Sequence, residues 1–136
     1  MNNLVGEISD IKSDEHFSIV EMIVDENIFK SIIIETPETV PFLKTGNKIN
    51  IMFKESEVSI AKELKGRISL QNKIPCIIKG IEKGTLLSKI ILDFNSKKIV
   101  SVITTGAVEQ LELKENDDVL ALVKTNEVIL APYDRS

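Results

Sequence analysis

One histidine and one cysteine are all that this 136-residue chain offers to imidazole or thiol chemistry. His16 follows Asp14-Glu15 and reads as a polar turn residue; a single imidazole builds neither a His-based metal cluster nor a two-histidine relay. Cys76 sits in the apolar run Ile74-Pro-Cys-Ile-Ile78, away from any base that would make it a thiolate. Glu115, Asp117 and Asp118 crowd one turn without the spaced oxygen ligands of a calcium loop. Gly80 and Gly84 stand alone, so there is no glycine-rich phosphate loop. The expectation is a protein that is not an enzyme and has no direct metal-cation ligands. What remains is a hydroxyl-rich junction, Thr104-Thr105-Gly106, where a strand hands over to a helix. Free N–H groups, two hydroxyls and a glycine could hold an oxyanion there. On local sequence alone an ordinary threonine N-cap is the stronger reading.

The elements that position this junction are mostly strands. Ile occurs 21 times and Val 11 times, and such β-branched residues suit a pleated, half-buried surface. Shifting the sequence by 70 residues pairs Asn2 with Asn72, Ile8 with Ile78, Ser31 with Ser101 and Leu43-Lys44 with Leu113-Lys114. Lys54 then meets Lys124, and Glu57-Val58 meets Glu127-Val128. Ordered matches along both halves indicate a duplicated module, residues 1–64 and 65–136. In the second copy, β-rich runs cover Ile74–Ile81, Leu86–Phe94, Ile99–Thr104, Val119–Lys124 and Val128–Ala131, with a helical turn at Gly106–Leu111. The first copy repeats this, with Pro37–Leu43 as its short helix. The expected fold is all-β: two tandem five-stranded OB-type barrels, each with one short helix.

The internal comparison also ranks the copies. Where the second reads Thr104-Thr105-Gly106, the first reads Ile34-Glu-Thr-Pro-Glu38, with Glu35 in place of a threonine. Carboxylates repel an incoming dianion and Pro37 removes an N–H donor. Residues 1–68 carry 8 basic and 12 acidic side chains, whereas residues 69–136 carry 9 of each. If one copy binds an anion, it is the second.

Composition excludes other classes. A net charge of −4 and 4% aromatics are wrong for a nucleic-acid surface. No apolar run approaches the ~20 residues of a membrane span, and the opening MNNLVGEISD lacks the pattern of a secretory signal. A lone cysteine fits a reducing compartment, so a cytoplasmic location is expected.

Arg67-Ile-Ser-Leu-Gln-Asn72, Lys83-Gly84-Thr85, Val102-Ile-Thr-Thr105 and the closing segment Leu111–Ala131 together resemble the molbindin (Mop, TOBE) family. That family's pattern is a Ser-Ala-Arg-Asn opening, a Lys-Gly loop, an Ile-Thr before a short helix, and a closing Leu-hydrophobic-Lys-Ala/Ser-x-x-Val. Residues 68–131 carry it throughout, and residues 1–62 are similar as a diverged copy. The resemblance implies an intracellular binder of molybdate or tungstate in the tandem di-Mop arrangement, without an organic cofactor. The alternative is a regulatory or interaction module related to the sensor half of molybdate-responsive transcription regulators.

By position, the resemblance assigns oxyanion ligands to Ser69 with the adjoining Leu70 and Gln71, to Thr104, and to Lys124 and Thr125. Arg67, Gly84, Thr85 and Lys54 are secondary candidates. It also implies a homo-oligomer, a trimer ahead of a dimer, with sites completed across subunit boundaries. Gln71 departs from the family's arginine. Charged hydrogen bonds contribute ~1.5–3 kcal/mol against ~0.5–1.5 for neutral ones, so this exchange implies roughly tenfold weaker binding. Arg67 is the nearby candidate to restore the charge.

Overall fold

The computed structural model describes residues 1–134. The first half supplies β1 (Asn2–Ser13), β2 (Ser18–Val24), β3 (Asn27–Ile33), β4 (Lys48–Phe53) and β5 (Ser59–Ala61). The second supplies β6 (Asn72–Lys83), β7 (Leu87–Phe94), β8 (Lys97–Thr104), α1 (Thr105–Gln110), β9 (Asp118–Val123) and β10 (Ile129–Pro132). Alternation decides which side chains turn inward. Asn2, Leu4, Gly6 and Ile8 of β1 are buried, as are Asn72, Ile74, Cys76 and Ile78 of β6. Both strands shift register at the same place, between Ile8 and Asp10 and between Ile78 and Gly80. An extra residue there bends the strand. Its first part can then pair with β4 or β9 and its second with β2 or β7. The hairpins turn at Asp25-Glu26 and Asn95-Ser96, all four residues at positive φ, the pattern whose twist matches that of the flanking strands.

All pairing is antiparallel, in two five-stranded sheets ordered β10-β4-β1-β2-β3 and β5-β9-β6-β7-β8. The sheets are therefore not built from five consecutive strands each. The halves exchange their last strands: β5 pairs with β9 from Ser59–Leu122 to Ala61–Leu120, and β10 pairs with β4 from Ile129–Met52 to Pro132–Ile49. Sheet membership thus crosses the division of the chain at Leu64/Lys65, and residues 135–136 of the second module lie outside the described residues. Serines link the two edges of each sheet. Ser31 on β3 donates to the carbonyl of Val128, next to β10, at 2.8 Å, and Ser101 on β8 donates to that of Val58, next to β5, at 2.7 Å.

Buried asparagines tie one half to the other. The Asn2 amide donates to the Val100 carbonyl at 2.9 Å and accepts from the Val100 N–H at 2.8 Å. Asn72 does the same with Lys30, at 2.9 and 2.7 Å. Every one of these contacts has its counterpart 70 residues away, so they repeat under an internal two-fold. One continuous core runs through both sheets, and Phe29 meets Phe94 edge-on with centroids 6.2 Å apart.

The short helix expected in each copy forms only in the second. Over Pro37–Leu43 the chain makes turns instead, the Thr36 carbonyl accepting from the N–H groups of Thr39 and Val40, each at 3.0 Å. Pro41 explains the difference. It has no N–H to continue a helix, and its ring disfavours α conformation at Val40. At the matching point the second copy has Leu111, whose N–H reaches the Ala107 carbonyl at 3.0 Å.

Candidate anion-binding groove

The asparagine that opens β6 is committed to Lys30, and the residues just before it run beside the end of β9. Ser69, Leu70, Gln71, Lys124 and Thr125 come together there as the lining of one groove of about 420 Å³. Residues 55 apart in sequence thus meet because β6 and β9 are register partners from Asn72–Val123 onward. Ser59 and Leu122, partners across the exchanged strand, also line it. Lys124 precedes a single 3₁₀ turn, Thr125–Glu127, with extended backbone (φ −66°, ψ 147°) and no capping bond from its side chain. Its ammonium is exposed and, among the described residues, makes no ion pair. Sequence reasoning missed Ser59, Ile68 and Leu122 and, among charged members of the lining, Glu57 and Glu127. The alignment of the two glutamates across the repeat was the available signal; that strand exchange puts Glu57 in the groove of the other half's lysine was not visible.

Thr104 lies outside this groove. It is exposed and caps α1, its Oγ1 accepting from the Ala107 N–H at 3.1 Å. The ordinary capping role is therefore present, and the hydroxyl proton remains available to an acceptor. Thr105 is buried and has a different task. Its hydroxyl donates to the Gly84 carbonyl at 2.8 Å, so the Ser88 hydroxyl 2.8 Å away donates to it in turn, and its N–H reaches the Leu86 carbonyl at 2.8 Å. Thr105 thus fastens the β6–β7 turn to the helix start. Gly84 is required by that turn, because a Cβ there would lie 2.3 Å from the Leu87 carbonyl oxygen. Thr85 and Arg67 are exposed and line no part of the groove. Lys54 repeats the backbone of Lys124 (φ −70°, ψ 145°) before its own 3₁₀ turn, Glu55–Glu57, but Glu55 stands where the second half has Thr125. Register matches Ser18–Ile33 with Ser88–Ile103, so the same 70-residue offset sets Ile34 against Thr104 and Glu35 against Thr105.

The remaining reactive groups are accounted for. Asp14 Oδ1 accepts from the N–H groups of His16 and Phe17 at 2.8 and 2.7 Å, which lowers its pKa and makes His16 a turn residue. Burial pushes the Cys76 thiol up to about 12, so it stays neutral. Asp117 is held below the usual carboxylate range by Lys62, whose Nζ lies 3.0 Å away and also donates to the Glu112 carbonyl at 2.8 Å. Among the described residues no group of three or more His, Cys, Asp or Glu could hold a metal ion, and no helix is long and apolar enough to cross a membrane.

Comparison with known proteins gives the family of the second half and the fold of the whole. The TOBE domain family matches residues 68–130, which include every residue of the groove except Ser59 and Glu57. Molybdenum-pterin-binding protein 2 of Clostridium pasteurianum is 31% identical over 64 residues, covering 46% of this chain and 94% of that protein. The molybdenum import ATP-binding protein ModC of Brucella abortus (strain 2308) is 32% identical over 83 residues, 60% of this chain. The chain spans only 23% of the length of that relative. In overall fold the chain is similar to the cytoplasmic molybdate-binding protein ModG, solved with molybdate bound, at a TM-score of 0.91 and 23% identity over 97% of this chain and 96% of that one.

Proposed function

The chain belongs to the TOBE/Mop (molbindin) family, and from that premise we propose that it is a non-enzymatic, cytoplasmic binding protein for molybdate or tungstate. The observation that carries the reading is the groove that gathers Ser69, Leu70, Gln71, Lys124 and Thr125 from opposite ends of the second half. A tetrahedral oxyanion of this kind can only accept hydrogen bonds. The groove answers with three hydroxyls, one side-chain amide, backbone N–H groups and one uncommitted ammonium, the last giving the charge-assisted and strongest bond. Molybdate and tungstate share charge and shape with sulfate, so rejection of sulfate rests on size.

Thr104 supports a second part of the reading. Its hydroxyl is exposed yet sits outside the groove of its own chain. A site that uses both is completed by another copy, which makes the functional unit a homo-oligomer, a trimer ahead of a dimer. Residues 1–64 and 65–136 are then two modules of one ancestry, of which the second carries the ligands. Isothermal titration with molybdate, tungstate and sulfate tests the proposal. Heat from both metalates and none from sulfate is expected; absence of heat and of any thermal shift with either metalate up to millimolar concentration overturns it.

A further inference from the structure

Three charged side chains line the groove: Lys124, Glu57 and Glu127. Their formal charges leave it at −1, in a chain whose own net charge is −4. Among the described residues neither carboxylate is matched by an ion pair. They also come from different halves: Glu127 closes the 3₁₀ turn that follows Lys124, whereas Glu57, in the 3₁₀ turn before β5, enters the same groove because β5 pairs with β9. An oxyanion entering to reach Lys124, Ser69 and Thr125 therefore meets two like charges as well as one opposite charge.

We propose that Glu57 and Glu127 set the charge selectivity of this groove, holding back doubly charged tetrahedral anions relative to singly charged ones of the same shape. The proposal rests on the reading of the groove as an oxyanion site. Coulomb energy scales with the product of charges, so each carboxylate opposes a dianion twice as strongly as a monoanion in the same position. Lys124 acts on charge in the opposite sense but is the same in the parent and in carboxylate variants. The change in charge selectivity when a carboxylate is removed therefore isolates its contribution.

Molybdate and perrhenate are the probes, one a dianion and the other a monoanion of the same tetrahedral shape. Both are titrated into the whole protein and into Glu57→Gln, Glu127→Gln and the double variant, each checked by circular dichroism and sedimentation against the parent. Each substitution should tighten molybdate about two- to fivefold, the range of a partly exposed charge pair, and perrhenate by only about the square root of that factor. The preference for molybdate over perrhenate then rises in each single variant and most in the double. An unchanged preference, or weaker molybdate binding because a carboxylate positions Lys124, overturns the proposal. The unsubstituted protein gives an independent measurement. As sodium chloride rises from about 20 to about 500 mM, screening should leave molybdate affinity level or improve it, whereas a steep loss would mean a net positive site and overturn the proposal. If neither anion binds the parent or any variant, the oxyanion reading itself fails; if the parent binds both and only the preference stays fixed, that reading stands and this proposal alone falls.

Discussion

The two halves of this chain agree wherever the backbone needs them to and part company where a ligand would. Each has a bulged first strand, a tight hairpin, a buried asparagine holding the other half, and a serine linking sheet edges. Around the groove the agreement stops. Thr125 is matched by Glu55, Thr104 by Ile34, and α1 by a proline-interrupted turn. Lys54 and Lys124 keep the same conformation, so the difference lies in what surrounds the lysine, not in the lysine. Framework residues are held in both copies by hydrogen bonds that would otherwise be left unmade in the interior. Groove residues face solvent, where a substitution leaves the fold standing. A duplicated barrel can therefore lose ligands from one copy without losing its shape.

The largest effects should fall on the shared framework and be equal in the two halves. Asn72→Ala removes both partners of the half-buried Lys30 peptide groups, and Asn2→Ala removes those of the buried Val100. Each should cost about 2–4 kcal/mol of stability, since unsatisfied buried groups cost ~1–3 kcal/mol apiece. Urea unfolding of both variants checks this; a large difference between them would break the two-fold equivalence.

Binding should separate the halves. Lys124→Ala removes a charge-assisted bond and should weaken molybdate about ten- to hundredfold, with Lys54→Ala almost silent. Calorimetry that found equal losses would show that the first half also holds ligand. The oligomeric state must match the parent, because a site shared between copies disappears with the assembly.

Thr104→Ala removes the cap of α1 and should lower stability by about 1 kcal/mol, besides weakening the metalate. Thr104→Ser, which keeps cap and hydroxyl, should restore both in thermal melts and titrations. Ile34→Thr, the matching change in the first half, should add no cap, because no helix follows there.

The smallest effect is a pH dependence confined to one half. Lys62 holds Asp117 below its ordinary 3.8, and no such ion pair exists at the matching Pro132 and Asn47. A carboxylate lowered in the folded state binds fewer protons than in the unfolded chain, so its contribution is present above the ordinary pKa and fades as pH falls below about 4. Melting temperatures of Lys62→Met and parent should therefore differ by a constant amount near neutrality and converge in acid.

Much of this was legible in the residues. The repeat, the strand positions and the turns at Asn95-Ser96 and Lys83-Gly84 follow from local rules of alternation and turn chemistry, which each segment obeys whatever its neighbours do. Pro41, also plain in the sequence, rules out the helix first expected at Pro37–Leu43. The candidate groove was readable as a set of residue types, Ser69 through Thr125, through resemblance to a family. Partner choice was not readable. The segments Ser59–Ala61 and Ile129–Pro132 are short apolar runs whose pattern fits β4 and β9 equally well. Backbone hydrogen bonds are the same with either strand, so only the path of the whole chain could decide that β5 lies on β9 and β10 on β4. That decision is what carries Glu57 into the groove of Lys124. Sequence determined which strands this protein has and which residue types it offers at the candidate groove; tertiary structure alone determined which of them meet, because pairing between distant strands is set by geometry that no local pattern records.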